Sequence, residues 1–137
     1  MNGPAIIILS ASAFGTASKI KSDLGGQVHG LSSRCKDVDV SFDDTRKHLQ
    51  MLFKSGEAII AVMASGAVIR LLASVLDDKT SEPPVIAVAE DGSSVVPLLG
   101  GHHGANDMAR QVAKALDGHA SITTAGDLRF GVALDNP

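Results

Sequence analysis

The sequence predicts an α/β domain: a three-layer, Rossmann-like fold with a mostly parallel, mixed sheet and one β-hairpin. Three observations predict it. Two continuous apolar runs, Ala5 to Leu9 and Ala58 to Val62, each turn through small polar residues into a helical pattern, as parallel strands covered on both faces do. After Gly104, the residues Ala105, Met108, Ala109, Val112, Ala113 and Leu116 fall at i, i+3, i+4, i+7, i+8 and i+11, the stripe of an amphipathic helix. Asp91-Gly92 separates two β-branched runs, Val85 to Ala89 and Val95 to Leu99, and Asp-Gly in that setting marks a hairpin.

Taken in order, Ala5 to Leu9 is a buried strand that ends in Ser10-Ala11-Ser12. A helix follows from Phe14 to Leu24 with Ala17, Ile20 and Leu24 inward, and Gly25-Gly26 ends it. Gln27 to Gly30 reads as a short second strand, and Leu31 to Asp39 as polar and irregular. Asp43 or Asp44 caps a helix through Lys54 that turns Leu49, Leu52 and Phe53 inward. Ala58 to Val62 then enters a helix carrying Val68, Leu71, Leu72, Val75 and Leu76 on one face. Asp77 to Pro84 is a charged connection into the hairpin. The helix after Gly104 stops at Gly118, and Ala120 to Thr123 is a last short strand. Residues 1–127 form the expected domain, and 128–137 read as a linker toward a further domain.

Composition narrows the function classes. A chain of 137 residues with 45% hydrophobic content fits one domain with a real core. Net charge is −3, and four Phe with no Tyr or Trp leave little for base stacking, so no nucleic-acid partner is expected. No apolar run approaches the roughly 20 residues that span a bilayer, and no basic region precedes the first apolar run, so no membrane association is expected. The single Cys35 cannot form an internal disulfide, and a cytoplasmic location is the expectation. Cys35 reads as a bystander thiol rather than a nucleophile.

Candidate site residues come from strand-to-helix turns, where free N–H groups and the helix dipole favour carboxylate, phosphate or a developing oxyanion. One turn is Leu-Leu-Gly100-Gly101-His102-His103-Gly104-Ala-Asn106, and the other is Ala64-Ser65-Gly66 with Arg70 one turn in. Arg70 alone reads first as a solvated charge and only second as a ligand contact. Ser10, Ser12 and Ser65 stand at strand ends, where capping is the plain role for each. Four segments, Ser10–Ser12, Ala64–Gly66, Gly100–Asn106 and Thr123–Asp127, all follow apolar strands. They are expected to gather at one sheet edge as a ligand surface. The adjacent His102 and His103 cannot share a helix face, and no Cys or carboxylate stands at a metal-ligand spacing from them, so neither a metal nor a cofactor is expected. A histidine near a lactone, ester or carboxylate acts as general base or hydrogen-bond donor. No G-x-G-x-x-G and no G-x-x-x-x-G-K-[ST] is present, which weighs against a nucleotide-binding domain.

Several blocks resemble the N-terminal region of CbiG, the cobalt-precorrin-5A hydrolase of cobalamin biosynthesis. They are Ser65-Gly66-Ala67-Val68-Ile69-Arg70, Asp78-Lys79, Pro84 to Val88, Leu98 to His102, Gly104 to Asp107, and Ile122 to Asp127. The resemblance implies a corrin precursor as ligand and, in the complete protein, opening of its δ-lactone with release of acetaldehyde. It aligns His102 with the histidine of the family, which implies a catalytic or contact role for His102. His103 takes a place that is usually apolar and is expected to pack or to be exposed. By position, Ser65, Gly66, Arg70, Gly100, Gly101, Gly104, Asn106, Thr123, Thr124 and Asp127 are the expected substrate-binding set. The loop departs from the family, which more often has Ser-Gly-His, an apolar residue and two glycines. In this it is similar to the version fused to a precorrin-3B C17-methyltransferase. The expected partner is therefore a downstream CbiG C-terminal or methyltransferase domain, and the oligomeric state is left open. Three readings stand: a corrin-binding hydrolase or methyltransferase-supporting domain, a non-catalytic docking module that hands on pathway intermediates, and a generic phosphate-binding α/β domain.

Overall fold

The computed structural model describes residues 3–77, 82–101 and 104–124. The strands are β1 (Ala5–Ile8), β2 (Gln27–Leu31), β3 (Val40–Phe42), β4 (Ile59–Ala61), β5 (Val85–Val88), β6 (Ser94–Leu99) and β7 (His119–Ala120). The helices are α1 (Phe14–Leu24), α2 (Thr45–Lys54), α3 (Ser65–Leu72) and α4 (Ala105–Leu116). One seven-stranded sheet runs in the order β3-β2-β1-β4-β5-β6-β7. The first five strands in that order are mutually parallel, β6 is antiparallel to β5, and β7 is parallel to β6.

The core explains why the central strands are apolar without alternation. Every residue of β1, β4 and β5 is buried, because both sheet faces are covered. Ile6, Ile8, Ile60, Ile86 and Val88 pack with Ala17 and Ile20 of α1 and with Ala109 and Val112 of α4. Ala5, Ile7, Ile59, Ala61, Val85 and Ala87 pack with Leu49, Leu52 and Phe53 of α2 and with Val68 and Leu72 of α3. The result is the three-layer, mostly parallel α/β fold that the sequence predicts. β1 and β2 are joined by α1 on one face, while β4 and β5 are joined by α3 on the other, so chain direction across the sheet reverses between β1 and β4. Such a reversal opens a crevice at the carboxyl ends of the strands.

Local signals hold for most elements. Asp44 caps α2 by accepting from the Lys47 amide at 3.1 Å. The other capping assignments do not hold: neither the Ser10 nor the Ser65 side chain caps, and Ser12 donates instead to Glu90 Oε1 at 2.9 Å. α3 ends at Leu72 and passes into a 3-10 turn at Ala73–Val75, so the expected long helical face is shorter. The strand β3 falls where the sequence offers only Val40-Ser41-Phe42 between acidic residues. Three residues give periodicity too little to work on. Asp117, at φ 55°, makes the left-handed exit of α4 expected of Gly118. Gly118 is required for space, since a Cβ there would lie 2.2 Å from the Gly92 carbonyl oxygen. The last strand is only His119–Ala120, and Asp127 with the 128–137 segment lies outside the described residues.

The hairpin is as expected in type and in its Asp-Gly turn. Gly92 takes φ 80°, its amide donates to the Ala89 carbonyl at 2.8 Å, and Ala89 N–H bonds Ser94 O at 2.9 Å. The Asp91 carboxylate accepts from the Ser93 hydroxyl at 2.6 Å and from the Ser93 amide at 3.0 Å, and these bonds hold it below the usual carboxylate range. The pair does not form the sheet's border, because β7 adds beyond β6 at Ser94 and Val95. β7 stops short of Pro97, which has no N–H to offer a further strand.

One polar pair is built into the core. His29 on β2 is 6% exposed, and its Nδ1 lies 2.7 Å from Nε2 of His48 on α2. The His48 ring stacks on Phe42 at a centroid distance of 4.5 Å. One ring nitrogen donates and the other accepts, which suits two neutral imidazoles. Burial first, and the neighbouring His48 second, lower the His29 pKa to about 4, against a smaller opposing pull from Asp39. The unfolded chain takes up a proton below the ordinary value of 6.5, whereas the folded chain resists until about 4. Stability is therefore expected to fall as pH drops from about 6.5 to 4, by up to about 3 kcal/mol from His29. Urea unfolding across that window should show the slope, and His29→Phe should remove more than half of it. An equal slope in wild type and variant would contradict the assignment.

Candidate functional site

The reversal at Asp91-Gly92 decides where the predicted site residues go. β5 and β6 pair Val88 with Val95 and Val85 with Leu99. The exit of β6 thus lies at the edge where β1, β4 and β5 begin, and β7 leaves the sheet on that same side. Ser10–Ser12 and Ala64–Gly66 follow β1 and β4 at the opposite edge. The expectation of one common ligand edge is therefore corrected: the described residues of the four loops fall on two edges, two loops to each.

At the β6 edge, Gly100, Gly101, Asn106, Thr123 and Thr124 line one cavity of about 360 Å³ together with Glu82, Pro97, Leu98 and Leu99. Gly100 is obligatory on two counts. It takes φ 76°, and a Cβ would sit 2.4 Å from the Pro83 carbonyl oxygen. Its amide donates to Glu82 Oε1 at 3.3 Å, and its carbonyl accepts from the Ala105 amide at 3.1 Å. Gly104, at φ 101°, turns the chain into α4. Helical periodicity puts Asn106 on the solvent side, but it is buried at 6% exposure. Its Nδ2 donates to Thr124 Oγ1 at 2.9 Å, tying the first turn of α4 to the segment after β7. His102, His103 and Asp127 lie outside the described residues. Glu82 is a wall residue that sequence reasoning missed. Pairing of Val85 with Leu99 brings the Glu82-Pro83-Pro84 approach beside the β6 exit, so the hairpin itself carried that signal.

Ser65, Gly66 and Arg70 stand apart at the carboxyl ends of the parallel strands. The Arg70 guanidinium folds back over the helix start, with Nη1 3.2 Å from where a Gly66 Cβ would be. Ser10 and Ser12 share a 2.8 Å hydrogen bond, and Ser12 and Thr16 fasten the β1–α1 connection to Glu90 at the hairpin turn. No group of three or more His, Cys, Asp or Glu suited to a metal occurs among the described residues. No helix is long and apolar enough to cross a membrane among the residues described.

Among the described residues, the lining of the β6 cavity carries one ionisable side chain, Glu82, beside the hydroxyls of Thr123 and Thr124, the Asn106 amide and the backbone of Gly100 and Gly101. Hydroxyl, amide and backbone groups of this kind can pair with the oxygens of an ester, a lactone or a hydroxyl group. Fold and cavity together define a doubly wound α/β domain with a polar subsite at a strand-to-helix turn. Comparison with known proteins narrows this class. The family model for the cobalamin synthesis G N-terminal domain matches residues 47–127. The cobalt-precorrin-5A hydrolase of Priestia megaterium is 36% identical over 101 residues, covering 73% of this chain and 27% of that protein. The cobalt-precorrin-5A hydrolase of Salmonella typhimurium is 40% identical over 84 residues, covering 61% and 24% respectively. A crystal structure of a cobalamin biosynthesis protein G homolog from Sulfolobus solfataricus superposes with a TM-score of 0.65 at 30% identity, over 88% of this chain and 36% of that one. The chain belongs to the cobalamin synthesis G N-terminal family. It spans about a quarter of the length of the curated relatives it matches.

Two adjacent glycines offer a sharp test of the cavity wall. Gly100→Ala is expected to cost more than about 2 kcal/mol, from the left-handed backbone and the contact with Pro83. Gly101→Ala has open space at its Cβ and is expected to stay within about 0.5 kcal/mol of wild type. Chemical denaturation of both variants checks the contrast, and equal losses would contradict the described backbone.

Proposed function

We propose that this chain is the corrin-binding module of a cobalt-precorrin-5A hydrolase-type protein in cobalamin biosynthesis. The β6 cavity takes the lactone-bearing rim of the macrocycle. The observation that carries this reading is the meeting of Gly100, Gly101 and Asn106 with Thr123 and Thr124 around one cavity, within the family-matched residues 47–127. A volume of about 360 Å³ sits at the low end of ligand pockets, so it holds one rim of a tetrapyrrole and not the whole. The remaining surface is supplied by the part of the relatives beyond this domain, a CbiG C-terminal domain or, in a fused arrangement, a precorrin-3B C17-methyltransferase. His102 follows Gly101 in sequence and is assigned as the group that hydrogen-bonds the lactone oxygen during opening.

The test uses a longer protein that contains this domain, with cobalt-precorrin-5A as substrate and acetaldehyde release as the readout. Gly101→Leu fills the cavity from a position with free space and should lower turnover at least tenfold while the fold persists. His102→Ala should lower substrate affinity on the order of ten- to a hundredfold, the value of one hydrogen bond to a charged or developing-charge group. His103→Ala should do so much less. Wild-type turnover in Gly101→Leu and His102→Ala would overturn the reading in favour of a docking module.

A further inference from the structure

A second cavity, of about 500 Å³, opens at the carboxyl ends of β1 and β2, away from the β6 site. Its inner wall is apolar: Ile8 is fully buried, and Phe14 keeps 38% of its surface exposed. Its outer wall is the connection after β2, which holds Ser33, Arg34, Lys36 and Asp37. This connection was unreadable in the sequence, but in the fold it is firmly held. Arg34 and Cys35 amides both donate to the Leu31 carbonyl, at 3.0 and 2.9 Å, and the Ser32 amide donates to Phe42 O at 2.8 Å. Cys35 points inward at 5% exposure, with its Cβ 2.8 Å from where a Gly30 Cβ would stand. Anchoring the central residue leaves Arg34 and Lys36 exposed on either side of it.

Neither Arg34 nor Lys36 has an ion-pair partner among the described residues. Asp37, at φ 58°, is the one carboxylate among the groups lining the cavity. The lining itself carries two cations and one anion, and the Asp43 carboxylate accepts from the hydroxyl of the lining residue Ser32, in a chain whose overall charge is −3. An exposed aromatic ring and two uncommitted cations on a well-anchored loop form a matched set. The ring offers a face to a flat apolar body, and the cations meet a carboxylate, by a fork in the case of arginine.

We propose that this cavity is a second ligand site, for an organic carboxylate with a flat apolar body held by Phe14, Arg34 and Lys36. The assignment is independent of the lactone reading, which concerns the other edge of the sheet.

The test uses 2-naphthoate as the probe, with 2-naphthalenemethanol as its neutral analogue and inorganic phosphate as an anion without an apolar body. Amide NMR titration of the whole chain should show 2-naphthoate shifting Ala11, Ser33, Arg34, Lys36 and Asp37 while Gly100 and Thr124 stay in place. The neutral analogue and phosphate should each bind at least tenfold more weakly. The pair Arg34→Gln and Lys36→Gln lies on the surface and should keep the amide spectrum elsewhere, yet lose at least tenfold in affinity. Lys19→Gln, an exposed cation outside the cavity, should bind like wild type. No localised shifts, equal binding of the neutral analogue, or unchanged affinity in the double variant would each overturn the proposal.

Discussion

The turn at Asp91-Gly92 is the constraint on which the remaining geometry depends. Left-handed Gly92, the Asp91–Ser93 hydrogen bonds and the 2.9 Å Ala89–Ser94 bond reverse the chain within a few residues. Up to that point each strand of the sheet runs the same way. From there, β6 and β7 run against them. Gly118 packs its backbone against the Gly92 carbonyl, so the turn also positions the exit of α4 and the start of β7. A side chain at either glycine would disturb the reversal, and with it the cavity formed by Gly100, Asn106 and Thr124.

The reversal divides the polar equipment of the domain between two edges with different chemistry. Arg34, Lys36 and Arg70, with the serines of the β1–α1 and β4–α3 turns, lie at the carboxyl ends of the parallel strands, where anions are welcome. The β6 edge carries a carboxylate, an amide and hydroxyls around a smaller space. The proposed lactone site falls at the β6 edge and the proposed organic-acid site at the other, following that division. The domain spans about a quarter of the length of its hydrolase relatives and carries a cavity at each of these two edges.

Much of the fold was legible because its signals are strong and local. Ala-Ile-Ile-Ile at β1, the six-residue stripe of α4 and the Asp-Gly turn each point to one structure. The class of domain followed, and the family match agrees with it. What was missed has equally specific causes. β3 is three residues long and rests on pairing with β2, from His29–Val40 to Leu31–Phe42, which no local pattern announces. Asn106 sits on the polar side of the helical wheel, yet it is buried and donates to Thr124, a partner that no helical pattern announces. The single-edge expectation failed for another reason: an antiparallel strand exits at the far edge, and that consequence of the hairpin was legible in Asp91-Gly92. Glu82 and the Arg34–Lys36 connection carry no motif. They matter only through neighbours brought in by the sheet.

The most direct measurement of the two-edge arrangement is a carbon-edited NOE spectrum of the labelled chain. The account predicts Hα–Hα contacts between Val88 and Val95 and between Ile86 and Pro97, together with contacts from the Asn106 side-chain amide to Thr124. Parallel contacts that place Val95 beside Val85 instead would contradict it, because the exit of β6 would then join Ser10–Ser12 and Ala64–Gly66 at one edge.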